Sequence, residues 1–152
     1  MKFTLTAIAL CASFIAPAYA TPTVTALFAA IKATGTSIVV DGEQCNNKTL
    51  MGHYTYVKDV RDQMDLCVAN HKGDSAELYD TILHEAVHVV QACKGDNLFT
   101  YASIIKAATP DEIQFIATTY PQAQFNRELE ARVIAREWDE VYVTNLIKEH
   151  CK

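Results

Sequence analysis

Two histidines four residues apart, with a glutamate directly after the first, occupy the segment Leu83-His84-Glu85-Ala86-Val87-His88. Four residues advance a helix by one turn plus about 40°, so both imidazoles leave one face and can bind one ion. Glu85 stands about 100° round from His84, where it can reach a water on that ion without ligating it. Residues of these types at this spacing serve metal-assisted hydrolysis. The ion is Zn2+, His84 and His88 are its ligands, and Glu85 is the general base.

The flanks are consistent with that arrangement. Glu77, Asp80, His88 and Gln91 all fall within about 40° of His84, whereas Ile82, Ala86, Val89 and Cys93 fall on the opposite side. The helix therefore buries an apolar back and presents a polar strip. Asp80 and Gln91, on the strip, are candidates to hold a ligand histidine in orientation. A catalytic zinc needs a third protein ligand and one open position. A continuation with Gly at 91 and His at 94 is excluded, because the chain has Gln91 and Lys94. The third ligand must then come from a later helix, and Arg127-Glu-Leu-Glu-Ala-Arg132 supplies two candidates. On one continuous helix Glu128 shares a face with Ala131, Ala135, Tyr142 and Leu146, where a carboxylate is costly unless paired or bound to a cation. Glu130 lies about 160° away and reads as a rim acid. Glu128 is the favoured ligand and Glu130 the alternative, should the helix phase slip near Pro121. A donor for the developing oxyanion is also required, and Tyr120, Tyr101, His71 and Arg132 all have the chemistry.

These groups need elements to position them. Val24 to Lys32 reads as a short helix with Thr23 as cap, and Ser37 to Asp41 as a strand closed by an Asp-Gly turn. His53 to Val57 and Met64 to Val68 are two more strands, giving a short antiparallel sheet. From Asp74 the chain turns helical. The first such helix runs to Lys94 and stops at Gly95, a second covers Asn97 to Ala107, and Thr109-Pro-Asp-Glu112 starts a third. A long last helix runs from Pro121 to about Glu149. Strands first and helices after make an α+β domain.

The chain has 152 residues, a one-domain length. Lys2, the apolar stretch Leu5 to Ile15 and Ala18-Tyr19-Ala20 have the layout of a secretory signal peptide over residues 1–20, cleaved before Thr21. The apolar run is shorter than the ~20 residues of a spanning helix. Residues 21–152 then form a domain without a membrane anchor, periplasmic or secreted. Thirteen basic and 18 acidic residues give a net charge of −5, and loss of Lys2 with the leader makes it −6. Such a balance argues against nucleic acid as a partner. Of the five cysteines, Cys11 leaves with the leader. The remaining four in an oxidising compartment make two disulfides, for which Cys45–Cys67 and Cys93–Cys151 are favoured. The first follows if the two later strands are neighbours. The second would tie the final helix to the back of the motif helix.

HExxH followed some forty residues later by Glu128-Leu-Glu130-Ala131 resembles the gluzincin group of zinc metallopeptidases. In that group the first glutamate of the second motif completes the zinc site. Many members continue with Asp where this chain has Arg132. The segment His84 to Cys93 carries a shorter likeness to another group of HExxH peptidases. Together the likenesses cover about residues 75–138. They imply a small zincin-like domain that hydrolyses a peptide or protein substrate. A non-catalytic exported domain that keeps the scaffold and binds a metal or a partner is the alternative, and Glu85 discriminates, since a pure binder needs no base there.

Overall fold

A computed structural model describes residues 21–152. The expected leader, residues 1–20, lies outside the described residues. The order of elements is α1 (Pro22–Ala33), β1 (Ser37–Val40), β2 (Gly52–Val57), β3 (Arg61–Leu66), α2 (Ser75–Lys94), α3 (Tyr101–Ala107), α4 (Pro110–Thr119), α5 (Phe125–Glu137) and α6 (Glu140–His150). Short 3-10 turns occupy Glu43–Asn46 and Val68–His71. The domain is α+β, as expected, with a three-stranded sheet and six helices.

The sheet order is β1-β3-β2, and it is mixed rather than wholly antiparallel. A tight turn joins β2 to β3, so these two pair antiparallel, with His53 opposite Asp65. β1 takes the other edge of β3 and runs parallel to it, with Ile38 opposite Met64. The connection from Asp41 to Met51 crosses the end of β3 to reach β2, which runs back the other way, and the tight turn after β2 then delivers β3 parallel to β1. Met64 and Leu66 point into the core, while Arg61, Gln63 and Asp65 alternate onto the other face.

α2 is the central element. Asp74 accepts from the backbone N–H of Ala76 and Glu77 at its start, and Gly95 ends it in the left-handed conformation at φ 78°. Its apolar back, including Ile82, Leu83, Ala86, Val87 and Val90, is fully buried against the sheet and against α5 and α6. Truncating one such leucine to alanine in a packed core costs about 2–5 kcal/mol, so the motif helix is firmly held. Both disulfides pair as expected. Cys45–Cys67 pins the 3-10 turn to the end of β3, and Cys93–Cys151 ties α2 to the end of α6.

Several boundaries differ from the sequence reading. The strand placed at 64–68 lies at 61–66, and the cap of α1 is Thr21, whose hydroxyl accepts from Val24 N–H. α3 begins only at Tyr101, capped by Thr100. The long last helix is two helices. Trp138 is extended and stacks between Phe99 and Tyr142 with ring centroids 6.1 and 5.1 Å away. Asp139 then caps α6 by accepting from Tyr142 N–H. Packing of the indole between the loop residue Phe99 and Tyr142 of α6 accompanies the break, and no proline or glycine lies between Phe125 and His150. The shared face of Glu128 with Tyr142 and Leu146 does not exist, because those residues belong to a different helix.

Candidate metal centre

α2 and α5 pack side by side, and their contact line brings the polar strip of one to the first turn of the other. His84 Nε2 and His88 Nε2 lie 3.1 Å apart, and Glu128 Oε2 is 3.3 Å from the first and 3.4 Å from the second. With zinc–ligand distances of about 2.0–2.2 Å, tetrahedral ligands sit about 3.3–3.5 Å from one another. The triangle is therefore close to the size that zinc requires. Among the described residues these three side chains are the one such group that could hold a metal.

The donor set leads to the same site. A carboxylate oxygen and two unprotonated imidazole nitrogens are all acceptors, so they cannot satisfy one another unless a proton or a cation lies between them. The same arrangement couples the protonation of these groups. Burial works against the charged form of His88, but Glu128, Glu85 and Gln91 outweigh it and raise its pKa. Burial pushes Glu128 up, yet His84 and His88 hold its carboxyl down at about 2. A protonated histidine there stands where the cation would be.

The orientation of His88 is fixed from behind. Gln91 Nε2 donates to Glu130 Oε2 at 2.8 Å and to Arg127 O at 3.0 Å, which leaves Gln91 Oε1 as an acceptor. That oxygen is 2.7 Å from His88 Nδ1. The network therefore assigns the proton of the neutral ring to Nδ1 and the lone pair to Nε2, facing the site. Gln91 does the orienting work expected of it. Asp80 does not, because it pairs with Arg132 Nη1 at 3.0 Å.

Glu130 corrects the sequence reading most sharply. It is fully buried, 0 % exposed, rather than a rim acid. Its oxygens accept from Leu98 N–H at 2.8 Å and Phe99 N–H at 2.7 Å as well as from Gln91. A carboxylate with three N–H donors needs no metal. Helical phase could not show those donors, because they arrive from the loop after Gly95.

Glu85 is 6 % exposed and lies beside the triangle, lining two cavities of about 510 and 390 Å3. The cavities meet at Gly52, His84, Glu85 and Tyr120. Gly52, at the start of β2, lets the strand pass close over the base. A Cβ there would come within 2.6 Å of Thr81 Cγ2 and 2.9 Å of Glu85 Cγ. No sequence signal marked this glycine, since the constraint is tertiary. Of the four oxyanion-donor candidates, Tyr120 lines both cavities. Burial first, then the charges of Glu128 and Glu85, push its pKa up to about 12, so it keeps its proton at neutral pH. Arg132 lines the smaller cavity but is engaged by Asp80. His71 is buried between Glu77 and Met51 O, and Tyr101 lies exposed at the start of α3.

The model of a family described as a domain of unknown function, DUF8637, matches residues 22–152. No curated protein and no solved structure matches the chain.

Proposed function

The chain belongs to the DUF8637 family, and we propose that it is an exported zinc-dependent peptidase. The observation that carries this reading is the triangle of His84 Nε2, His88 Nε2 and Glu128 Oε2, with edges of 3.1–3.4 Å, set beside Glu85 in a cleft. Zinc, when bound, would acidify a water and polarise the scissile carbonyl. His84, His88 and Glu128 would hold it. Glu85, whose carboxylate lies beside both histidines, takes the proton of the attacking water and returns it to the leaving amine. Tyr120 donates its hydroxyl proton in a hydrogen bond to the carbonyl oxygen as charge develops there. β2 is an edge strand in the order β1-β3-β2 and borders the larger cavity, so an extended peptide can add to its free edge. Two disulfides accord with an oxidising compartment. Among the described residues no helix is long and apolar enough to cross a membrane.

The test is Glu85→Gln beside wild type on a proteome-derived peptide library. The variant should keep its fold and its zinc and lose nearly all cleavage. Cleavage at the wild-type rate would overturn the mechanism, and zinc binding without cleavage by wild type would favour the non-catalytic alternative.

A further inference from the structure

α5 carries three arginines, and their surroundings differ. Arg132 is paired with Asp80 at 3.0 Å, and Arg136 with Glu112 at 2.7 Å. Arg127 has no carboxylate within ion-pair distance among the described residues. Its one side-chain hydrogen bond is Nη2 to His88 O at 3.3 Å. The residue is half-buried and lines the larger cavity together with Tyr54 and Tyr56 of β2.

A guanidinium is always charged and offers five N–H donors in a planar fork, so one long bond leaves most of its capacity unused. Partial burial without a counter-ion is unfavourable for the free protein and is relieved by an anionic ligand. The two cavities beside the triangle differ in this respect. In the smaller one the arginine is already neutralised by Asp80, whereas in the larger one it is open. Glu128 and Glu85 also line the larger cavity, but their charges face the metal and the water in the proposed site.

We infer that Arg127 is a specificity-determining residue that binds a carboxylate of the peptide substrate, on the side of the scissile bond that occupies the larger cavity. The inference rests on the peptidase reading for the word substrate, but carboxylate recognition is measurable without hydrolysis. The planar guanidinium fork suits a bidentate carboxylate. The carboxylate can belong to an Asp or Glu side chain or to the peptide C-terminus. Both present the same two oxygens.

The experiment uses zinc-loaded protein and matched fluorogenic peptides in which a single Glu is moved through each position and replaced in turn by Gln. Each peptide is prepared with a free and an amidated C-terminus. Wild type should prefer one carboxylate position by about tenfold or more in KM. Arg127→Gln should erase that preference, read as KM for the acidic against the neutral peptide on the same variant so that any loss common to both cancels, and Arg127→Lys should keep part of it. Which arm shows the preference, scanned Glu or free C-terminus, identifies the source of the carboxylate. Binding of the same peptides to Glu85→Gln protein, with and without Arg127→Gln, gives the second readout. Cleavage with no carboxylate preference overturns this inference and leaves the peptidase reading standing. Carboxylate-dependent binding that Arg127→Gln removes, with no cleavage by wild type, upholds the inference and overturns the peptidase reading. Equal binding of acid and neutral forms, or binding of neither, overturns the inference.

Discussion

The cleft wall and the sealed seam of α5 each carry a glutamate, two residues apart, and the two carboxylates live in opposite chemical worlds. Glu128, with its side chain 12 % exposed, meets the Nε2 atoms of His84 and His88 at 3.3 and 3.4 Å. Glu130, wholly buried, meets three N–H donors. The more deeply buried acid is satisfied by N–H donors, and the less buried acid belongs to the group that could hold a cation. Burial alone therefore does not identify a metal ligand. The hydrogen-bonding character of the neighbours does, because a carboxylate among donors is complete and one among acceptors is not. Gln91 joins the two regions by accepting from His88 and donating to Glu130.

The contrast is broken most severely at Glu128. Glu128→Gln should weaken zinc binding more than 100-fold, beyond the 10–100-fold typical of losing a partner behind a ligand. Metal-free protein should also lose stability at neutral pH, because the two histidines favour the ionised carboxylate, but the loss of zinc should be the larger effect. Chelator competition and a thermal melt measure the two quantities on one preparation. Glu130→Ala should show the reverse order of damage. Leaving the Leu98 and Phe99 N–H groups buried without an acceptor should cost about 2–3 kcal/mol in folding stability, read by urea unfolding. A Glu130→Ala protein as stable as wild type would remove the distinction between the two regions.

Gln91→Leu tests the bridge between them. Without the acceptor on Nδ1, His88 is free to turn or to change tautomer, and zinc affinity should drop about 10–100-fold. The 15N shifts of the His88 ring in metal-free protein should move with it. Unchanged shifts and affinity would show that the ring is held by packing alone.

The smallest effect is expected farther along the same seam, where Glu112 closes a capping box with Thr109 and pairs with Arg136. Burial raises the Glu112 pKa, but Arg136 and the Thr109 bonds outweigh it and lower it. A depressed folded pKa stabilises the protein above the unfolded carboxylate range, near pH 4.3. That contribution disappears as pH falls through the folded value. Glu112→Gln should thus destabilise by about 1 kcal/mol at pH 7 and by less in acid. A penalty that grows on acidification would contradict the sign.

The sequence revealed what is encoded locally. The motif spacing, the caps at Asp74 and Thr109 and the stop at Gly95 all depend on neighbours within a few residues. What it hid depends on distant chain. The parallel pairing of β1 with β3 is decided by how the segment from Asp41 to Met51 crosses, not by the strands themselves. The break at Trp138 is decided by indole stacking on Phe99 and Tyr142, after which Asp139 caps α6. Glu128 was chosen for an apolar stripe that the break dissolves, yet the first turn of α5 still delivers it to the two histidines. Glu130 was misread because its donors come from the loop before α3. Gly52 and Arg127 gave no signal, since each matters only through what crosses it in space.

The central claim is a single zinc held by α2 and α5, and its most direct test is the zinc content of protein purified through the oxidising compartment without chelator. Wild type should carry close to one zinc per chain. His88→Ala, with its disulfides intact and its helical content unchanged, should carry almost none. Equal zinc in the two proteins, or a correctly folded wild type that takes up no zinc, would contradict the account.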